Sequence, residues 1–141
     1  ISVDVEKHDH AMALTLSLTH FINIVFASVL SKENVKDLKI LGGTTFTMQL
    51  LLSEGVMTED PRLYASIQMS NPYTIQYLEK FLSESYELAR CIRGKDEEKF
   101  SKFYNEARSA LSECERLADS YEAMYRALKI IRDSRGRTAS P

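Results

Sequence analysis

Glycine, proline and cysteine are scarce in this chain of 141 residues, at 5, 3 and 2 respectively, and tryptophan is absent. No glycine stands in a GxGxxG or GxxxxGKS/T setting, the loops that let a backbone approach phosphate at a helix N-terminus. Gly42-Gly43 followed by Thr44-Thr45 is too little to cradle one. The chain by itself is expected to bind neither a dinucleotide nor ATP. Cys91 and Cys114 lack CxxC spacing, so they form neither a zinc site nor a disulfide framework and read as reduced thiols of a cytoplasmic protein. An excess of one charge is missing too. Net charge is −2, with 20 acids and 18 bases interspersed, and a nucleic-acid surface needs a concentrated basic face. No apolar run reaches the roughly 18–20 uninterrupted residues of a membrane span. Ala11–Leu30 comes nearest but carries His20, Asn23 and several Ser and Thr, so no membrane partner is expected. The chain opens at Ile1 without initiator Met or signal-peptide pattern and is expected to be a piece of a longer protein.

What is present is a composition of 44% hydrophobic and 27% charged residues, ordinary for a soluble domain with a real core. The organising stretch is Glu6–Phe21, which holds all three histidines, His8, His10 and His20, among Ala, Met, Leu and Thr. Ser2 is a plausible N-cap, with Asp4 and Glu6 in the first turn where the helix dipole favours negative charge. One helix is expected from there to Leu30. At helical spacing Asp9, Ala13, Leu16 and His20 share a stripe, Asp9 and His20 lying about 16 Å apart along the axis. His8 and Asp9 point about 100° apart, and His8 and His10 diverge, so no metal site is expected.

Downstream, Ser31–Leu41 is short and polar, and Gly42-Gly43 breaks the chain. Thr44 or Thr45 can cap a helix running to about Met57. Asp60-Pro61 is a strong helix start, with Asp as cap and Pro in the first turn. Asn71-Pro72 ends that helix and begins another, which Gly94 closes. Asp96 caps the last element. Phe100, Phe103, Ala107, Ala110, Cys114, Leu117, Tyr121, Met124, Leu128 and Ile131 recur there in steps of three and four, predicting one long heptad-patterned helix to about Arg132–Gly136. That stripe must be covered by shorter helices or by a second subunit. No strand-period segment stands, so the fold class is all-α, with residues 1–135 a helical domain and 136–141 a frayed tail.

The run His8-Asp9-x-x-Met12-Ala13, then Leu18-x-His20-Phe21, then Asp60-Pro61-x-Leu63-Tyr64-Ala65-x-Ile67 resembles the helical C-terminal domain of prephenate dehydrogenases over about Glu6–Leu117. The resemblance implies a dimerisation domain of the 6-phosphogluconate-dehydrogenase-like type that completes a substrate pocket. It also implies an upstream domain, before residue 1, that binds NAD or NADP and carries the catalytic histidine. The family's reaction is oxidative decarboxylation of prephenate to 4-hydroxyphenylpyruvate in tyrosine biosynthesis, so this fragment alone is expected to be inactive and to form a homodimer. By position the resemblance makes His20, Thr47, Tyr64, His8 and Asp9 substrate-pocket residues. Phe103, Ala107, Cys114, Leu117 and Tyr121 are candidate dimer contacts. Thr47 stands where the family usually has an arginine, a change worth about 2–5 kcal/mol at a buried carboxylate contact. Lys39 or Arg62 would have to compensate, or the substrate is arogenate or another carboxylic acid. A non-catalytic helical dimerisation module is the remaining reading.

Overall fold

The computed structural model describes residues 4–113 and 116–137, with no strand among them. Its helices are α1 (Val5–Met12), a π-helical segment (Ala13–Leu18), α2 (Thr19–Leu30), α3 (Val35–Leu41), α4 (Thr44–Val56), α5 (Pro61–Ser70), α6 (Thr74–Arg93), α7 (Glu97–Ser112) and α8 (Leu117–Arg137). The chain divides into two compact units, Ile1–Tyr86 and Glu87–Pro141, the division falling inside α6.

Local signals place most boundaries. Asp60 accepts from the Arg62 amide with Pro61 in the first turn of α5, and Asp96 accepts from the Lys99 amide at the start of α7. Asn71 ends α5, and the Gly94 amide donates to the Arg90 carbonyl after α6. Four boundaries differ from expectation. Asp4 caps α1 by accepting from the Glu6 amide, whereas Ser2 lies outside the described residues. Gly43, without a side-chain bond, precedes α4 in place of a Thr cap. The polar stretch after Leu30 holds a helix, α3, whose half-buried Val35 and Leu38 give it an apolar side. The long heptad element is two helices, α7 ending at Ser112 and α8 opening at Leu117. The stripe at the end of α7 consists of Ala107 and Ala110, both exposed. Such small side chains bury too little to hold a very long helix straight, since helices draw most of their stability from a buried face. Cys114 lies outside the described residues.

In the first unit α2 packs along α4, and the π-helical segment packs on α5. The buried side chains at these crossings are small: Ala13 is fully buried, and Ser17 and Ser53 are 1% exposed, beside Leu50 and Val56. Their polar atoms are paired, as burial requires. Thr74 Oγ1 donates to Ser17 Oγ at 3.0 Å. Asn23 Oδ1 accepts from Gln49 Nε2 and Ser53 Oγ, each at 2.9 Å.

Val5–Leu30, taken as one continuous helical run, is long and apolar enough to cross a membrane by length and composition, with a mean hydropathy of 1.8 in its best window. Polar residues interrupt this run, which is why no span is expected from the sequence. Several of those residues, including Ser17 and Asn23, bind the neighbouring helices of the first unit.

Candidate functional site

The π-helical turn runs through Ala13–Leu18 and ends just before His20. Widening a helix by one residue per turn displaces side chains beyond it and loosens the carbonyl ladder, which is why such turns collect at functional sites. Two threonines bridge carbonyls here, Thr15 Oγ1 donating to Ala11 O and Thr19 Oγ1 to Thr15 O, both at 2.8 Å. From the facing helix, Gln68 Nε2 donates to Ser17 O at 2.8 Å.

His20 meets the Tyr64 ring edge-on, with centroids 4.6 Å apart at 76°. Its Nδ1 is closed to solvent and has no hydrogen-bond partner. Desolvation lowers its pKa below the ordinary 6.5, so at neutral pH the ring is an uncharged imidazole with a donor and an acceptor to offer. Tyr64 in turn lines a cavity of about 450 Å³ with Ile24, Met57, Glu59, Pro61 and Gln68. The Oε1 of Gln68 is also buried without a partner. A wall that is largely apolar with a few convergent polar groups is the usual form of a small-molecule site.

His8 and Asp9 come together elsewhere on the same unit. His8 Nδ1 lies 3.1 Å from Asp9 Oδ1, both groups being substantially exposed. Their adjacent side chains therefore meet despite diverging backbone directions, because both are free to swing towards one another at the surface. Asn71 Nδ2 donates to Asp9 O at 2.7 Å, and Asp9, Ser17 and Asn71 line a smaller cavity of about 280 Å³. The Gln68–Ser17 bond thus joins the linings of the two cavities. His10 stacks on Tyr73 at 3.7 Å, and its Nδ1 lies 3.1 Å from Tyr77 Oη. Tyr73 loses solvent there and faces Glu6, Asp9 and Asp4, which together push its phenol above the usual pKa.

Thr47 stands apart from these groups. Its hydroxyl donates to Gly43 O at 3.0 Å, and it is not among the residues lining the cavity at Tyr64. Neither base that was to compensate for it is uncommitted. Lys39 is paired with Glu54, and Arg62 grips Asp60 through Nη2 at 2.7 Å and Nε.

Residues 4–106 match the family of the prephenate dehydrogenase dimerization domain. The chain belongs to that family. A probable arogenate/prephenate dehydrogenase of Methanocaldococcus jannaschii is 31% identical over 109 residues, covering 76% of this chain and 24% of the relative. The T-protein of Enterobacter agglomerans is 26% identical over 101 residues, covering 70% of this chain and 27% of the relative. The chain therefore spans about a quarter of the length of these relatives. No solved structure matches it significantly. Within the dimerization-domain match lie His8, Asp9, His20, Thr47, Tyr64 and Phe103, whereas Ala107, Leu117 and Tyr121 lie beyond it.

Sequence reasoning passed over Gln68 and Asn71, the two amides that tie α5 and its end to the histidine helix. The available signal was Gln68 itself, a polar residue one turn after Tyr64 on the same helix face, where only apolar residues were needed.

Proposed function

We propose that this chain is the helical domain of a dehydrogenase acting on prephenate or its amino-acid counterpart arogenate, supplying one wall of the substrate pocket and a homodimer interface. The full-length protein, which we place in the cytoplasm, carries out the oxidative decarboxylation that yields the 4-hydroxyphenyl product. NAD or NADP is held outside this chain. The Gly42-Gly43 turn does not fit a dinucleotide, because the Gly42 amide, a donor that a phosphate would need, already donates to Leu38 O at 2.8 Å, while a Cβ at Gly42 would meet the Phe46 ring. Glycine there serves helix packing.

The observation that carries the reading is His20, held edge-on by cavity-lining Tyr64 and keeping a buried, unpartnered Nδ1. A neutral imidazole so placed orients the substrate by hydrogen bonding to its carboxylate or oxygen substituents, while the apolar wall excludes water from the ring. Support for a dimer comes from the family's dimerization-domain description and from apolar side chains left bare, Ile40, Leu41 and Met69 being at least 80% exposed. Such surface is the kind that association covers. The test is His20→Ala in the full-length protein. Loss of a hydrogen bond to a charged substrate group, worth about 1.5–3 kcal/mol, lowers kcat/KM by roughly 10- to 150-fold with the dimer intact. Unchanged turnover would remove His20 from the pocket.

A further inference from the structure

We propose that α1 is a flap hinged at the π-helical turn, and that its swing opens and closes the cavity of about 280 Å³ between α1 and the end of α5. The two sides of the turn are docked on different partners. On one side His10 stacks on Tyr73 at 3.7 Å, its Nδ1 lies 3.1 Å from Tyr77 Oη, and Asp9 O accepts from Asn71 Nδ2 at 2.7 Å. On the other, Asn23 Oδ1 accepts from Gln49 and Ser53 of α4, and His20 meets Tyr64. An uninterrupted α-helix, at about 100° per residue, sets His10 and Asn23 about 220° apart around its axis. A turn that takes up one surplus residue reduces this to about 120°. The wide turn lets both ends dock at once.

The same geometry defines a second state. Drawn tight into α-helix, the turn rotates one end against the other by about 100° and lengthens the helix by about 1.5 Å. One set of ties must then break, and α1 is the end that yields. It buries no side chain, whereas α2 packs along α4 and is bonded to the buried Ser53. Elements with little buried contact are the ones that open locally while the rest stays folded. Asp9 and Met12 of α1 form one wall of the cavity, and Ile67, Ser70 and Asn71 face them. Release of α1 therefore uncovers Ser17, which lines the cavity and is 1% exposed in the docked state.

The experiment reads the hinge and the opening separately, in the full-length protein. Leu14 and Val25 are matched apolar positions, 42% and 41% exposed, one in the turn and one in α2. Deleting Leu14 removes the surplus residue and leaves a continuous α-helix with both ends docked, so this variant should melt within a few degrees of wild type. Deleting Val25 turns Phe26 by about 100° away from Phe46 and should melt far lower. Opening is read from the rate at which dithionitrobenzoate modifies a thiol introduced by Ser17→Cys, in a background whose other cysteines are replaced by serine. His10→Ala, which removes the stack on Tyr73, should speed that reaction about fivefold, and deletion of Leu14 should slow it. A Leu14 deletion that melts as low as the Val25 deletion, or a modification rate that either change leaves unmoved, overturns the proposal.

Discussion

Gln68 and Ser17 are 51 residues apart in sequence, yet the amide of one donates to the backbone carbonyl of the other at 2.8 Å. That bond fastens α5, and with it Tyr64, to the widened turn that precedes His20. The two rings of the candidate site are set by this attachment as much as by their own contact.

Gln68→Leu keeps the side chain's bulk but leaves the Ser17 carbonyl without this partner in a part-buried position. Stability should fall by about 1–3 kcal/mol, the cost of an orphaned polar group, read from the midpoint of urea unfolding. KM for substrate should rise as well, because Tyr64 loses its anchor. A variant with wild-type stability and KM would reduce the bond to an incidental one.

The Ser17–Thr74 pair allows a cleaner test of polar burial. Their hydroxyls meet at 3.0 Å, and the residues are 1% and 3% exposed. Ser17→Ala strands the Thr74 hydroxyl and should cost about 1–3 kcal/mol, whereas adding Thr74→Val removes both partners and should recover most of that loss. Additive losses in the double variant would contradict the pairing.

Stability should depend on pH through His20. Its folded pKa lies below the unfolded value of 6.5, so the unfolded chain binds the proton more readily. The contribution of the neutral ring is full above pH ~6.5 and is lost as pH falls through the folded pKa, where stability rises with pH. Difference curves of unfolding free energy against pH for wild type and His20→Asn should show this slope below pH ~6.5. Parallel curves would mean the ring is not desolvated.

Much of the helical plan was legible because its signals are local. Asp60-Pro61, Asn71 and Asp96 act within one turn of themselves, and all three sit at the helix ends they mark. The π-helical turn was not legible, since Ala13–Leu18 has the same apolar spacing as the α-helix on either side. The division between α7 and α8 was hidden for a related reason. Glu113 to Arg116 contains neither Gly nor Pro, and the apolar repeat runs straight through it. At the site, the motif residues His20 and Tyr64 do meet. The side-chain amide hydrogen bonds that tie α5 and its end to the histidine helix, Gln68 to Ser17 and Asn71 to Asp9, join residues more than 50 positions apart, beyond the reach of any periodicity.

The proposed dimer seam yields the last expectation, which separates surface from core on one helix. In α8 Tyr121 is 57% exposed and its ring meets that of Tyr125 at a tilt, with centroids 5.9 Å apart, whereas Leu128 is 3% exposed. A lysine at position 121 has solvent for its charge in the single chain but none once a partner covers it. Tyr121→Lys should therefore give a folded monomer, with an unchanged helical signal and a halved mass by sedimentation. Leu128→Lys forces an unpaired charge into the second unit's core, at a cost of at least about 3 kcal/mol, and should lower thermal stability sharply. The two substitutions place the same charge on the same helix, so a difference between them can come only from what covers each position. A Tyr121→Lys protein that remains a stable dimer would move the seam off this face.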